Sequence, residues 1–430
     1  MRASALLIAA LIAPLPAQAQ IAGQWIVATR RWGNPEYSTL TLRRTAGTLS
    51  GNWDGDPVTG AAERDRLRFT VRDRRGATYV FTARMTGETL AGEADYPDHN
   101  TPGARVHHVF TARRVPDRPS ATPRTVDFRP SDYANTFSAE RAPVLTIWPG
   151  DIVRTTTVDS GGMDATGKTV ALFGNPQTGP FFVAGAEQGD TLVLHIRRLA
   201  LNRDWADSLD TVVNRALGPS LVAKATELGK PVRWRLDRIN GRASPEGATG
   251  ALREYSVPVR PMLGGVALAP GFGAPPLSTG DTGRAGGNMD FPDVAEGNTV
   301  YLPVQQPGAL LYIGDAHALQ GDGETSQYAL ETSMDVTFSV EIIKGRAVPT
   351  PRVESPTEII TLGQAGSLDE ALKSASTGMI LWLQQDYGLT LSQAAQVMGT
   401  AVRFGVPNLA GRSVGVSARI DKALLPPRKP

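Results

Sequence analysis

Residues Met334 to Ile343 read Met-Asp-Val-Thr-Phe-Ser-Val-Glu-Ile-Ile, and this alternation constrains the fold more than any other feature of the chain. Met334, Val336, Phe338, Val340 and Ile342 fall on one side of an extended backbone, with Asp335, Thr337, Ser339 and Glu341 on the other. A helix would scatter these residues around its axis, whereas a strand with one buried and one wet face keeps them apart. The same period of two returns at Leu192, Leu194 and Ile196 against Val193, His195 and Arg197. It appears earlier at Leu40 and Leu42, and at Leu67, Phe69 and Val71. With 45 glycines and 32 prolines to supply turns, the chain reads as mainly β.

The alternation comes in two blocks. Residues 20–115 predict a small antiparallel β-barrel, in which Gly47-Thr48-Leu49-Ser50-Gly51 is echoed by Gly87-Glu88-Thr89-Leu90-Ala91-Gly92 between strands. The opening Gly23-Gln24-Trp25 resembles the start of lipocalin-like barrels. Residues 116–126 are rich in proline and form a linker, since no core can form there. Residues 127–430 predict a second domain, a β-sandwich or barrel with a few C-terminal helices over about 367–400. Ser367-Leu368-Asp369-Glu370 is a capping box, and Leu368, Ala371, Leu372, Ala375, Met379 and Leu383 form the apolar stripe behind it. Thr390-Leu391-Ser392-Gln393 opens a second helix.

The first nineteen residues combine a basic start, a short apolar run and Ala17-Gln18-Ala19, which predicts a cleaved signal peptide and a periplasmic or secreted protein. No later segment is apolar enough for membrane insertion. The chain has no cysteine, so stability must come from core burial or a bound ion. A formal net charge of +2, with acids interleaved among the arginines, gives no basis for binding nucleic acid.

Three loops of the second domain concentrate chemistry. Gly314 to Glu324 holds Asp315, His317, Gln320, Asp322 and Glu324 beside three glycines, directly after the apolar run Ala309–Ile313. Gly280 to Asp290 holds Arg284, Asn288 and Asp290 among glycines, and Thr155 to Gly162 carries Asp159. Neither a Gly-x-Ser-x-Gly elbow nor a His-Glu-x-x-His pair occurs, and a cysteine nucleophile is impossible. The only histidines are His99, His107, His108, His195 and His317. His107 and His108 are adjacent and point to opposite faces of a strand, and mid-strand His195 reads as a packing residue. A metal in this domain would take mostly carboxylate oxygens, with His317 as its nitrogen ligand. The Asp-x-Asp-x-Asp-Gly spacing of an EF-hand is absent.

In order along the chain stand Ala142-Pro143-Val144-Leu145-Thr146-Ile147-Trp148-Pro149-Gly150-Asp151, Asn175-Pro176 through Thr178-Gly179-Pro180, and Val183 to Asp190. Then come Pro261 to Pro270, Gly286-Gly287-Asn288-Met289-Asp290, and Pro307-Gly308-Ala309-Leu310 leading into the His317 loop. These six motifs resemble the acetamidase/formamidase family over roughly residues 130–345, with a fainter echo in the C-terminal helices. The resemblance implies a mostly-β hydrolase of the C–N bond in small non-peptide amides, releasing ammonia and a carboxylate. It also implies lactams as an alternative substrate, a zinc-type divalent metal and a homo-oligomer. The leader and the barrel depart from the family pattern, and they point away from formamide and acetamide, which well-known intracellular members hydrolyse.

On that basis Asp159, Asp290 and His317 are expected to hold the metal. Glu324 is expected to move the proton, and Asp315 to orient His317. Asn288, Gly287 and Gln320 are the expected substrate-binding residues. The competing expectation is a periplasmic calcium-dependent protein that binds a ligand or carbohydrate without turnover, with Trp25, Trp32 and Trp53 of the barrel as recognition groups. Core and rim packing accounts for those tryptophans more simply.

Overall fold

The computed structural model describes residues 21–429, so the leader expected over 1–19 lies outside them. The chain divides into two compact units between Asp117 and Arg118, inside the proline-rich stretch. Thr125–Asp127, placed in the linker by sequence up to residue 126, already pairs in parallel with Ile152–Thr157 of the second unit.

Eight antiparallel strands form the first unit, from Gly23–Arg31 to Arg105–Arg114, and the last pairs with the first to close a barrel. Its hairpins are made by residues that accept a left-handed backbone. Trp32-Gly33, Ala46-Gly47 and Asp54-Gly55 each link two strands with positive φ at both positions, the twist a two-residue hairpin requires. Such turns fix register locally, and the inward parity then follows along every strand. Inside, Phe69 stacks on Phe81 at 4.8 Å between ring centroids, and Trp53 tilts against Phe81 at 4.5 Å. Trp25 is fully buried, and its indole N–H donates to the Ile21 carbonyl at 3.1 Å. Trp32 stands exposed in a turn. Two of the three candidate recognition tryptophans are therefore core residues.

The second unit is a sandwich of an 11-stranded and a 9-stranded sheet. Leu192, Leu194, Ile196, Val336, Phe338 and Val340 of one sheet share a core with Leu263, Val266, Leu311 and Ile313 of the other. Thr191–Leu201 and Met334–Ile343 pair as long antiparallel neighbours. Ser339, expected on the wet face, is buried, and its hydroxyl accepts from Arg197 Nε at 2.8 Å. His195 is a packing residue whose Nδ1 meets Thr299 Oγ1 at 3.1 Å.

Helices Leu368–Tyr387 and Leu391–Ala401 cover one end of the nine-stranded sheet. Ser367 caps the first through the Glu370 N–H, while Thr390 and Gln393 form a complete capping box on the second. The buried stripe runs through Ala371, Ala375, Met379 and Leu383; Leu368 and Leu372, expected in it, are exposed. The shift follows from Gly363, where any Cβ would collide with the Ala371 carbonyl, so the helix backbone lies directly on the sheet. Among the described residues no helix is long and apolar enough to cross a membrane.

Candidate active site

Strand Leu311–His317 runs four residues beyond the apolar run that ends at Ile313, so Asp315 and His317 are strand residues. Asp315 has φ +54° and falls out of the ladder between the pairs Leu263–Ala316 and Gly265–Gly314. The register is unbroken there, so it is the left-handed backbone of Asp315, opposite Gly264, that re-aims its side chain. His317 lies directly across the ladder from Glu331, so register alone brings that carboxylate to the imidazole. Asp290 follows strand Gly286–Asn288, and its N–H is held by the Gly264 carbonyl at 3.1 Å. A Cβ on Gly264 would lie 2.7 Å from both Asp290 Oδ1 and Asp315 Oδ2, so glycine makes room for the two acids. Glu324 sits in a turn pinned by Gly323, which exchanges backbone hydrogen bonds with Pro407 and Leu409.

Together these elements converge five ionisable groups, each at least nine-tenths buried: Asp290, Asp315, His317, Glu324 and Glu331. His317 Nε2 stands 3.3 Å from Glu331 Oε1 and 3.6 Å from Asp315 Oδ1. Ligand atoms of Asp290, His317 and Glu324 lie within 4.8 Å of one another, as do those of Asp315, His317 and Glu331. Asn175, Asp290, Asp315 and Glu324 all adopt positive φ, a costly backbone for these residue types that collects where function demands a geometry.

Around this centre lies a shell of amides. Gln320 Oε1 accepts from His317 Nδ1–H at 2.9 Å, while its Nε2 donates to the carbonyls of Asp290 at 2.6 Å and Pro407 at 3.0 Å. Nε2 is therefore the imidazole nitrogen left facing the acids. Asn175 Nδ2 donates to Asn288 Oδ1 at 2.6 Å and to Asp315 Oδ2 at 3.1 Å. Asn288 and Asn408 both donate to Asp290 Oδ2 at 2.5 Å.

Several expectations change. Asp159 joins neither group of acids: its Oδ2 accepts from Arg203 Nη2 at 2.7 Å, and its Oδ1 accepts the Met163 N–H at 2.8 Å. The same Arg203 nitrogen donates to the Glu331 carbonyl at 3.2 Å, so Asp159 braces the strand carrying Glu331. Gln320 and Asn288 hydrogen-bond within the shell, to His317 Nδ1 and to Asp290 Oδ2. Gly287 is needed for backbone approach, since a Cβ there would strike the Asp281 carbonyl. Asp315 faces His317 Nε2 beside Glu331, while the orienting contact on Nδ1 belongs to Gln320. Glu331, Asn408 and Arg203 carried no sequence signal: none stands in the three glycine-bearing loops, and their partners are remote along the chain.

The electrostatics are those of a site short of positive charge. Burial, and then the Asp315 carboxylate, push Asp290 well above the usual carboxylate range. Burial and Asp290 do the same to Glu324, and burial raises Glu331. For His317, burial opposes the charged form, but Glu331 and Asp315 outweigh it and raise the imidazole well above its ordinary value. Asp290 Oδ1, Asp315 Oδ1, His317 Nε2 and Glu331 Oε2 are buried with no hydrogen-bond partner among the described residues. Buried polar atoms are rarely left so, and three carboxylate oxygens with one imidazole nitrogen fit a bound cation. The buried acids and histidine can hold a metal ion.

The fold that carries this centre is shared with solved proteins. The model of the acetamidase/formamidase family matches residues 274–401. Acetamidase from Yersinia enterocolitica superposes with a TM-score of 0.62 at 28% identity, covering 71% of this chain and 94% of that one. Acetamidase from Bacillus halodurans gives 0.59 at 25%, covering 69% and 97%. A predicted acetamidase/formamidase from Thermoanaerobacter tengcongensis gives 0.60 at 26%, covering 71% and 97%. A putative formamidase of Schizosaccharomyces pombe is 47% identical over 60 residues, 14% of this chain and 15% of the relative's length. The chain is thus similar to the acetamidase/formamidase family in sequence over residues 274–401 and in fold over 69–71% of its length.

Proposed function

We propose that the second unit hydrolyses the C–N bond of a small non-peptide amide, giving a carboxylate and ammonia or an amine, with a divalent metal at the His317 centre. The observation that carries this is the set of partnerless buried donor atoms around His317 Nε2. His317, Asp315 and Glu331 would hold the ion. Three oxygens and one nitrogen, counting Asp290, suit zinc better than calcium, which takes six to eight oxygens. When bound, such an ion supplies polarisation of the carbonyl and a water nucleophile at neutral pH.

The remaining steps belong to the chain. Glu324 takes the proton of the attacking water and passes it to the leaving nitrogen. Its burial and its closeness to Asp290 keep its proton affinity high enough for both halves of that transfer. Asn288 and Asn408 hold Asp290 against Glu324 so that the two acids share one proton. Gln320 fixes the imidazole ring plane.

Export is part of the same proposal, resting on the leader-like text of the first nineteen residues. So is self-association, which the exposed Leu172 and Phe173 support; light scattering measures it. The catalytic proposal is tested by ammonia or amine release from a panel of linear amides and lactams, presented to zinc-loaded protein. Release from at least one member is expected. Release from none, with the protein folded and loaded, overturns the proposal.

A further inference from the structure

The two ends of the barrel differ, and the difference follows from strand parity. On Arg66–Arg72, the step of two that turns Leu67, Phe69 and Val71 inward continues to Asp73. On Asn34–Thr45, the step that buries Leu42 and Leu40 continues to Ser38 and Glu36, and Gly23–Arg31 likewise leads from Trp25 and Val27 to Arg31. One end is thus filled with apolar groups, while the other carries ionisable side chains on inward positions. Inward charge in a small barrel is costly to keep without a role.

At that polar end lies a cavity of about 260 Å³. Trp53, Tyr79, Phe81 and Tyr96 wall it, and Glu36, Asp54, Asp56 and Asp73 line it with one guanidinium, Arg31, and His99. Arg31 is neutralised by Glu36 at 3.0 Å. Arg74 and Arg75 stand further out on an exposed turn and do not line this cavity. Besides Arg31 Nε, a buried donor without a hydrogen-bond partner among the described residues, two oxygen-bearing groups inside lack partners. Ser38 is 7% exposed and its hydroxyl makes no hydrogen bond among the described residues, and the Asp56 carboxylate has neither hydrogen bond nor ion pair among them. A nearly buried hydroxyl left open toward an aromatic, acid-lined space marks a place for a ligand atom.

We propose that the open end of the barrel binds a small organic cation, a primary ammonium or guanidinium group on an apolar body. Its nitrogen donates to Asp56 and to Ser38 Oγ, and its body lies against the rings of Trp53, Tyr79 and Tyr96. Ring faces attract cations and carboxylates exclude anions, so one cavity selects both charge and apolar character. The site lies wholly in the first unit and is independent of the amide-hydrolysing proposal.

Calorimetric titration of the full chain with benzylammonium, benzyl alcohol and benzoate tests this. Benzylammonium is expected to bind saturably and about tenfold more tightly than benzyl alcohol, with benzoate weakest. Asp56→Asn, which keeps the shape of the side chain, is expected to weaken benzylammonium about fivefold while the thermal melt stays unchanged. Ser38→Ala gives a second, independent loss. Equal binding of benzoate, no saturable benzylammonium binding, or full affinity in both variants overturns the proposal.

Discussion

In the barrel, the inward polar side chains gather at one open end where solvent still reaches them, and the rest of the interior is aromatic and aliphatic. In the sandwich, four carboxylates and an imidazole are held away from water on strands and turns, with a shell of amides behind them. The first arrangement lets each charge keep part of its hydration. The second removes hydration and returns only neutral donors, which raises Asp290, Glu324 and Glu331 and leaves donor atoms without partners. A fold keeps such a centre only if something else stabilises it, as the proposed ion would.

Glu324→Gln should lower turnover by roughly two to four orders of magnitude while bound metal stays at the wild-type level, read by ammonia release and elemental analysis of one sample. In the barrel, Phe69→Ala removes a ring stacked on Phe81 and should cost about 3–5 kcal/mol in that unit, followed by denaturant unfolding. Gly264→Ala pushes a methyl against Asp290 and Asp315; a loss of about 10–100-fold in metal affinity or turnover is expected, with little change in the melt. The smallest effect belongs to Thr390→Ala, which deletes a helix cap far from the centre and should cost about 1 kcal/mol with turnover unchanged.

Much of this was legible in the sequence because short-range rules dominate it. Period-two alternation and turns such as Asp54-Gly55 give the barrel, since its neighbours in space are neighbours in sequence. Asp290, His317 and Glu324 stand out as acids and imidazole in glycine-bearing text, and the structure brings them together. Glu331 was missed because its position is set by ladder register opposite His317, and it sits in a two-residue strand with no glycine beside it. Asp159 looked like a ligand for the reason His317 did, an acid in a glycine turn. Only the fold reveals Arg203 as its partner, 44 residues away. Asn408 closes the site from beyond the second helix, at a sequence separation no local pattern spans.

The central claim is that the buried His317 centre hydrolyses amides through a bound ion. The most direct measurement titrates a chelator into active protein and follows bound metal and ammonia release together, then returns zinc. The account predicts that both fall in parallel and recover together. Ammonia release that persists after the metal is gone would contradict it.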